Sequence, residues 1–151
     1  MNVTASAVDL NQLHSGGTLG SLIVGAVVRF GDRPAIADGT VRWSYRQFGE
    51  QVARFIAVYR SLGLTRGNAL SIVASNRAES WAAICAALVM GMRYTALHPM
   101  AAEDDHAFIV DDAEIDVLIV EGAKFGARGL AIKARAPKLK HLLSFGPMDG
   151  A

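Results

Sequence analysis

The sequence predicts an α/β fold, a parallel sheet with helices on both faces, preceded by a helix and a short β-hairpin. Short continuous apolar runs, LSIVA (70–74), YTAL (94–97), DVLIV (116–120) and HLLSF (141–145), recur along the chain. Stretches of helical length separate them. Runs that are apolar throughout, rather than at alternate positions, belong to strands covered on both faces, and their alternation with helices is the pattern of a parallel sheet. A length of 151 residues suits one domain, in which roughly 70% of the unfolded surface is buried on folding.

Taken in order, Thr18 is placed to cap a helix over 19–30, with Leu19, Leu22, Ile23, Ala26 and Val27 along one face and a break at Gly31 to Pro34. Residues 1–17 before it form an expected flexible N-terminus. Residues 35–37 and 41–43 are two strands around Asp38-Gly39, a dipeptide suited to the positive backbone angles of a tight hairpin. Ser44 then caps a helix in which Tyr45, Phe48, Val52, Phe55, Ile56, Tyr59 and Leu62 recur every three or four residues, closing at Gly63. Arg46, Glu50 and Arg54 share its opposite face, spaced for weak exposed ion pairs. Beyond it, the spacing predicts strands at 70–74, 94–97, 116–120 and 141–145, with helices over 78–90, 102–112 and 123–135 between them. Residues 146–151 are left as a tail.

Composition narrows the function classes. The formal charge of +1 gives no electrostatic case for nucleic acid. Cys85 is the one cysteine, which excludes an intrachain disulfide and Cys-rich zinc patterns and fits a reducing compartment. The start, MNVTASAVDL, lacks the basic flank and apolar stretch of a signal peptide. The longest apolar run, 81–92, falls short of the ~20 residues that span a bilayer. A cytoplasmic protein without a transmembrane segment is expected. Hydrophobic residues make up 52% of the chain and charged residues 19%, so apolar surface is expected to face a partner or the rest of a larger protein. The helix around 81–90, apolar on nearly every side, and an unpaired sheet edge point to a homo-oligomer.

Candidate chemistry is sparse. Residues 94–106, YTALHPMAAEDDH, hold two histidines and three carboxylates, but His98 and His106 are eight apart, not at the four-residue spacing that puts two imidazoles on one helical face. No metal site is expected there; Glu103, Asp104 and Asp105 fit the first turn of a helix, where its dipole favours carboxylates. His98 stands at the carboxyl end of a predicted parallel strand, the edge where open α/β sheets bind ligands. It is a candidate for substrate contact, against the alternative of a bond to loop backbone. Asn76 follows the 70–74 strand at the same edge and is either a helix cap or a second substrate contact. Neither GGTLG (16–20) nor GAKFGARG (122–129) has the Gly-Lys-Ser/Thr ending of a phosphate loop, so both read as loop or helix-end glycines. No Gly-x-Ser-x-Gly elbow or convincing triad occurs, and no catalytic residue is assigned. The acidic stretch from Glu103 to Glu121 is followed by Lys124, Arg128, Lys133, Arg135, Lys138 and Lys140, which reads as a solvated basic face rather than an anion site.

Segments from about 18 to 145 resemble the beginning of the adenylate-forming superfamily, in particular its AMP-forming fatty-acyl-CoA synthetases. The opening hairpin and helix of that family lead through a Thr-Tyr-x-x-Leu-like stretch to Leu-Gly; here Ser44-Tyr45 through Phe48, then Leu62-Gly63, correspond. The next segment, with a Gly-Asp turn, an Asn-Ser-x-Glu-like loop and a Gly-Ala-x-x-x-Pro-Leu-Asn-Pro-like ending, is matched by Gly67, Asn76, Glu79, Gly91, Leu97 and Pro99. Asn68 stands where Asp is usual, and His98 where Asn is common. The resemblance implies a Rossmann-like sheet forming part of the N-terminal domain of a larger enzyme, with 18–145 as that partial domain. It further implies activation of a fatty acid or other carboxylate by ATP and Mg to an acyl-adenylate, followed by transfer to CoA. The family's Ser/Thr/Gly-rich phosphate loop and lid lysine have no counterpart in these residues, so the chain by itself is expected to hold no cofactor and to be inactive. The alternative is a self-sufficient small α/β ligand-binding or protein-interaction module.

Overall fold

The structure, a computed structural model, describes residues 17–39 and 41–148; apart from Gly17, the expected flexible N-terminus lies outside them. The first helix, α1 (Leu19–Phe30), begins at a reciprocal cap in which Thr18 Oγ1 accepts from Ser21 N–H and Thr18 N–H donates to Ser21 Oγ. The hairpin follows as β1 (Pro34–Asp38) and β2 (Val41–Ser44), antiparallel, with Gly39 at φ +53° in the turn. Ser44 and Gln47 form a second reciprocal cap at the start of α2 (Tyr45–Ser61), and Gly63 at φ +75° ends it in the left-handed region that glycine adopts without strain. The chain then alternates through β3 (Ala69–Val73), α3 (Ala78–Val89), β4 (Arg93–Ala96), α4 (Glu103–Asp112), β5 (Val117–Glu121), α5 (Gly122–Arg135) and β6 (His141–Phe145). Each expected element is present, with boundaries shifted by a residue or two.

The four strands form one parallel sheet in the order β4-β3-β5-β6. Helices cover both faces, which is why β3 is buried along its whole length. Leu70, Ile72, Val117 and Ile119 point to the side of α2 and α3, where they meet Phe48, Val52, Tyr59 and Ala86. Ala69, Val73, Leu118 and Val120 point to the other side, against Val110 and Ile132 of α4 and α5. The polar Ser71 is fully buried but satisfied, its hydroxyl donating to the Thr95 carbonyl at 2.9 Å.

Packing of the first three helices departs from the sequence expectation in two ways. Helix α3 does find neighbours on most sides: α1, α2, the sheet and the hairpin surround it, and the buried Tyr59 hydroxyl donates to its Ala83 carbonyl at 3.0 Å. On α3 only Trp81 is an exposed large apolar side chain, whereas α1 exposes Leu19, Leu22, Val24 and Val28. Its packing face is Gly20, Ile23 and Val27, while Leu19 and Leu22, expected on that face, turn outward. The cause is close helix contact through glycine: a Cβ on Gly20 would stand 2.9 Å from the Leu88 carbonyl oxygen, and one on Gly49 of α2 would stand 2.6 Å from Val27 Cγ1. Arg46 pairs with Asp32 at 2.8 Å rather than with Glu50.

One buried charge organises the amino end of the sheet. Asp116, 9% exposed, accepts the Ala69 N–H at 2.8 Å through Oδ2 and the Lys140 ammonium at 2.8 Å through Oδ1. Its backbone N–H donates to Ala69 O, and its carbonyl accepts from Lys140 and His141 N–H. Residue 116 thereby ties the starts of β3, β5 and β6 together. Burial works to raise the Asp116 carboxyl, but hydrogen bonds from Lys140, Asn68 and the Ala69 N–H outweigh it and hold the group below the usual carboxylate range.

Two outcomes are expected. Phe48 is 6% exposed, so Phe48→Ala should cost about 3–5 kcal/mol. Phe55 is only half-buried, packed edge-on to Phe145 with ring centroids 6.0 Å apart, so Phe55→Ala should cost clearly less in the same urea titration; equal losses would contradict this placement. Because Asp116 is lowered in the fold, its contribution is complete above its unfolded value, about 4, and fades as pH falls through the folded value. Asp116→Asn should therefore cost about 1.5–3 kcal/mol at pH 7 and flatten the acid limb of stability against pH. A variant with the wild-type acid limb would refute the role given to this carboxylate.

Candidate functional site

In a sheet of this order, the chain leaves β3 toward β4 and then returns to the other side of β3 as β5. The carboxyl ends of β3, β4 and β5 thus border the crevice where open α/β sheets bind ligands. Three segments meet there: 74–77 after β3, 97–102 after β4, and the start of α5 after β5. The structure brings both sequence candidates to this edge.

Asn76 is exposed and lines a cavity of about 320 Å³ together with Ser80, Trp81, Tyr94, Leu97 and Pro99. It is not the helix cap. Arg77 occupies the capping position without a side-chain bond to the helix, and the Ala78 N–H at the start of α3 is satisfied from the hairpin, by Asp38 Oδ2 at 2.9 Å. A tertiary carboxylate has taken the capping role that local sequence offered to Asn76.

His98 lies between two cavity-lining residues, Leu97 and Pro99. Its side chain is exposed, and its Nδ1 accepts the Met100 N–H at 3.2 Å, so the bond to loop backbone is present. The His98 carbonyl accepts from the Ala101 N–H and from Nε2 of His106, each at 2.9 Å. His106 is fully buried, and because a carbonyl only accepts, Nε2 carries the proton in this contact. Arg128 of α5 completes the loop's restraints by donating to the carbonyls of Pro99 and Ala101 at 3.0 and 3.2 Å. The two histidines of the motif are thus joined through backbone, with His106 holding the loop that carries His98. Among the described residues, no three His, Cys, Asp or Glu side chains gather as a metal-holding group.

Sequence reasoning missed the cluster between β3 and β5. Glu121, the last residue of β5, accepts the Ser75 N–H at 2.9 Å. Lys124 bonds the Ser75 hydroxyl at 2.8 Å and the Glu121 carboxylate at 3.1 Å. The Ser75 N–H, first among the causes, brings the Glu121 carboxyl down to about 2 against the opposing effect of burial, with the Ser75 hydroxyl and Lys124 adding to it. The signal was a charged residue closing a buried run, VLIVE, at the edge that faces β3.

The basic run is not merely solvated. Arg135 pairs with Asp104 at 2.6 Å, Lys138 with Glu114 at 3.1 Å and Lys140 with Asp116, while Lys133 donates to the carbonyls of Leu139 and Lys140. Acidic and basic stretches adjacent in sequence are complements in space. Of the glycines of GAKFGARG, Gly122 is the first residue of α5, a helix-end glycine as expected, while Gly126 and Gly129 lie inside the helix: a Cβ on Gly122 would collide with the Pro147 carbonyl oxygen, and one on Gly126 would meet Met148 Cγ at 2.6 Å. They let residues 146–148 lie against the helix. Gly20 of GGTLG is likewise a buried helix-contact residue.

Comparison with known proteins agrees with this architecture. The chain is 33% identical over 133 residues to a medium/long-chain-fatty-acid–CoA ligase of Mycobacterium tuberculosis, a match covering 87% of the chain and 23% of that protein. It is 26% identical over 143 residues to the 2,3-dihydroxybenzoate-AMP ligase of Bacillus subtilis, covering 92% of the chain and 26% of that protein. The N-terminal domain of FACL13 from Mycobacterium tuberculosis, solved with an inhibitor, superposes with a TM-score of 0.79 at 20% identity, covering 85% of the chain and 33% of that domain. The chain spans about a quarter of the length of each of these two ligases. The sequence model for AMP-binding enzymes matches residues 25–150, and on that extent the chain belongs to the AMP-binding enzyme family.

Proposed function

We propose that the chain is the N-terminal part of an ATP-dependent fatty-acid–CoA ligase. In such an enzyme the fatty-acid carboxylate attacks the α-phosphorus of ATP, pyrophosphate leaves, and the CoA thiol then displaces AMP from the acyl-adenylate. The observation that carries this reading is the identity of one residue in three, across nearly the whole chain, to a ligase named for medium- and long-chain fatty acids.

Within the whole protein, the carboxyl edge of β3 and β4 would form one wall of the substrate site, with Asn76 and His98 as its contact residues. Support comes from their shared position beside the cavity, and from the two clamps, His106 and Arg128, that hold the His98 loop in place. The residues present do not fit a triphosphate or magnesium site of their own. The cations at this edge are engaged within the fold: Lys124 by Glu121 and Ser75, Arg128 by two carbonyls, Arg77 by Glu79. The Glu121 carboxylate is itself occupied by Ser75 and Lys124. ATP, magnesium and CoA would therefore be held by sequence beyond these residues, and the 151-residue chain would be inactive in isolation.

ATP–pyrophosphate exchange tests this. The purified chain is expected to show no exchange with octanoate or palmitate, because groups that hold and neutralise a triphosphate are needed for the adenylation step. The longer protein that contains it is expected to exchange on addition of either acid. Exchange by the isolated chain, or a longer protein that responds to 2,3-dihydroxybenzoate but to neither fatty acid, would contradict the proposal.

A further inference from the structure

Two exposed apolar features of opposite charge lie on opposite sides of the sheet. Helix α1 rests on α2 and α3, which cover one face, whereas α4 lies with α5 on the other. On α1, Leu22 is 69% exposed, and a groove of about 700 Å³ runs past Leu22, Gly25, Arg29 and Phe30. Arg29 and Arg33 are exposed, with guanidinium groups 5.6 and 5.8 Å from the centre of the Phe30 ring. Among the described residues neither pairs with a carboxylate. From residue 17 to 68 the sequence holds seven arginines, no lysine and three carboxylates, so this side of the molecule is basic.

Helix α4 is the complement of this surface. Phe108, in the middle of the helix, is 69% exposed. Asp104, Asp105, Asp111 and Asp112 stand three or four residues from it, the spacing of neighbours on a helix surface, so carboxylates surround the aromatic ring. Arg135 engages Asp104 and Lys138 engages Glu114, but Asp105, Asp111 and Asp112 have no ion-pair partner among the described residues. From 94 to 123 the sequence holds eight carboxylates and no lysine or arginine, so this side is acidic.

We propose that α4 of one copy of the chain docks on α1 of a second copy. Phe108 enters the groove beside Leu22, Gly25 and Phe30, and the aspartates around it meet Arg29 and Arg33 at the rim. An aromatic anchor in an apolar pocket with charge pairs about it is the arrangement that concentrates binding energy in an interface. Like faces do not pair: a second α1 brings arginines and no carboxylate to Arg29 and Arg33, and a second α4 brings carboxylates to Asp105 and Asp112. Because the two faces lie on opposite sides of the sheet, one contact leaves an α1 and an α4 open at the far ends, so copies add head to tail instead of closing as a symmetric pair. This contact uses neither α3 nor a sheet edge, and assembly can succeed or fail whatever the exchange assay gives.

Sedimentation velocity over a wide concentration range decides the matter. The average sedimentation coefficient of the wild type is expected to rise with concentration past the dimer value, and to fall in about 1 M NaCl, where the screening length is about 3 Å. Phe108→Ala should weaken association at least about tenfold, as for an interface anchor. Arg29→Glu with Arg33→Glu, and separately Asp105→Lys with Asp112→Lys, should each give a monomer with the thermal midpoint in place, since all four side chains are exposed. Mixing these two variants in equal amounts should restore assembly, because the acidic α1 of one then meets the basic α4 of the other while their unaltered faces also match. Damage to folding would not be repaired by mixing. A wild type that stays monomeric, an assembly that stops at a dimer, a charge-reversed variant that still assembles, or a mixture that remains monomeric would overturn the proposal.

Discussion

The pairing of β3 with β5 is held at both ends by carboxylates that flank β5. Asp116, just before the strand, accepts the N–H of Ala69 at the start of β3; Glu121, at its end, accepts the N–H of Ser75 two residues past the end of β3. A one-residue slip between these strands would break both bonds and turn each apolar side chain toward the wrong face. Leu70 could no longer face α2, nor Leu118 face α5. The two strands are apolar on both sides, so hydrophobic burial alone distinguishes poorly between registers. The carboxylates supply that discrimination, Asp116 offset against its burial first by Lys140 and Glu121 first by the Ser75 N–H it accepts.

Fixing the register also fixes the edge at which ligands meet such a sheet. With Ser75 tied to Glu121, the segment 74–77 is set against β5, and Asn76 comes to line the same cavity as Leu97 and Pro99. The loop after β4 is restrained by different means, through His106 beneath it and Arg128 beside it. Most polar groups at this edge are therefore structural. The exposed His98 side chain is among them through the bond its Nδ1 accepts from Met100 N–H, and Asn76 is the exposed residue that lines the cavity.

Much of this was legible in the sequence, and the failures share one cause. Alternating apolar runs and helical stretches, the Thr18 and Ser44 caps and the Gly39 and Gly63 turns are local signals, and the structure follows them. What sequence reading missed depends on groups distant along the chain. Asp38 caps α3 from forty residues away, so Asn76 is free of a role that its position suggested. Gly20 draws α1 onto Leu88, which rotates Leu19 and Leu22 outward although periodicity grouped them with the packing residues. The Glu121 cluster gave only a weak signal, because one carboxylate at a strand end reveals its purpose only when the facing N–H is known. Resemblance to the adenylate-forming enzymes rested on order and spacing of individually weak motifs, and the match over residues 25–150 bears out that joint signal.

Glu121 organises the carboxyl edge of the sheet by holding the chain past β3. Native-state amide hydrogen exchange of Ser75 in the wild type and in Glu121→Gln measures this. The Ser75 amide, though it lies outside any strand, should be protected in the wild type, and losing the charged acceptor should speed its exchange at least about tenfold while Ala69 at the far end stays protected. A Ser75 amide that exchanges at free-loop rates in the wild type, or that is unaffected by Glu121→Gln, would contradict the account.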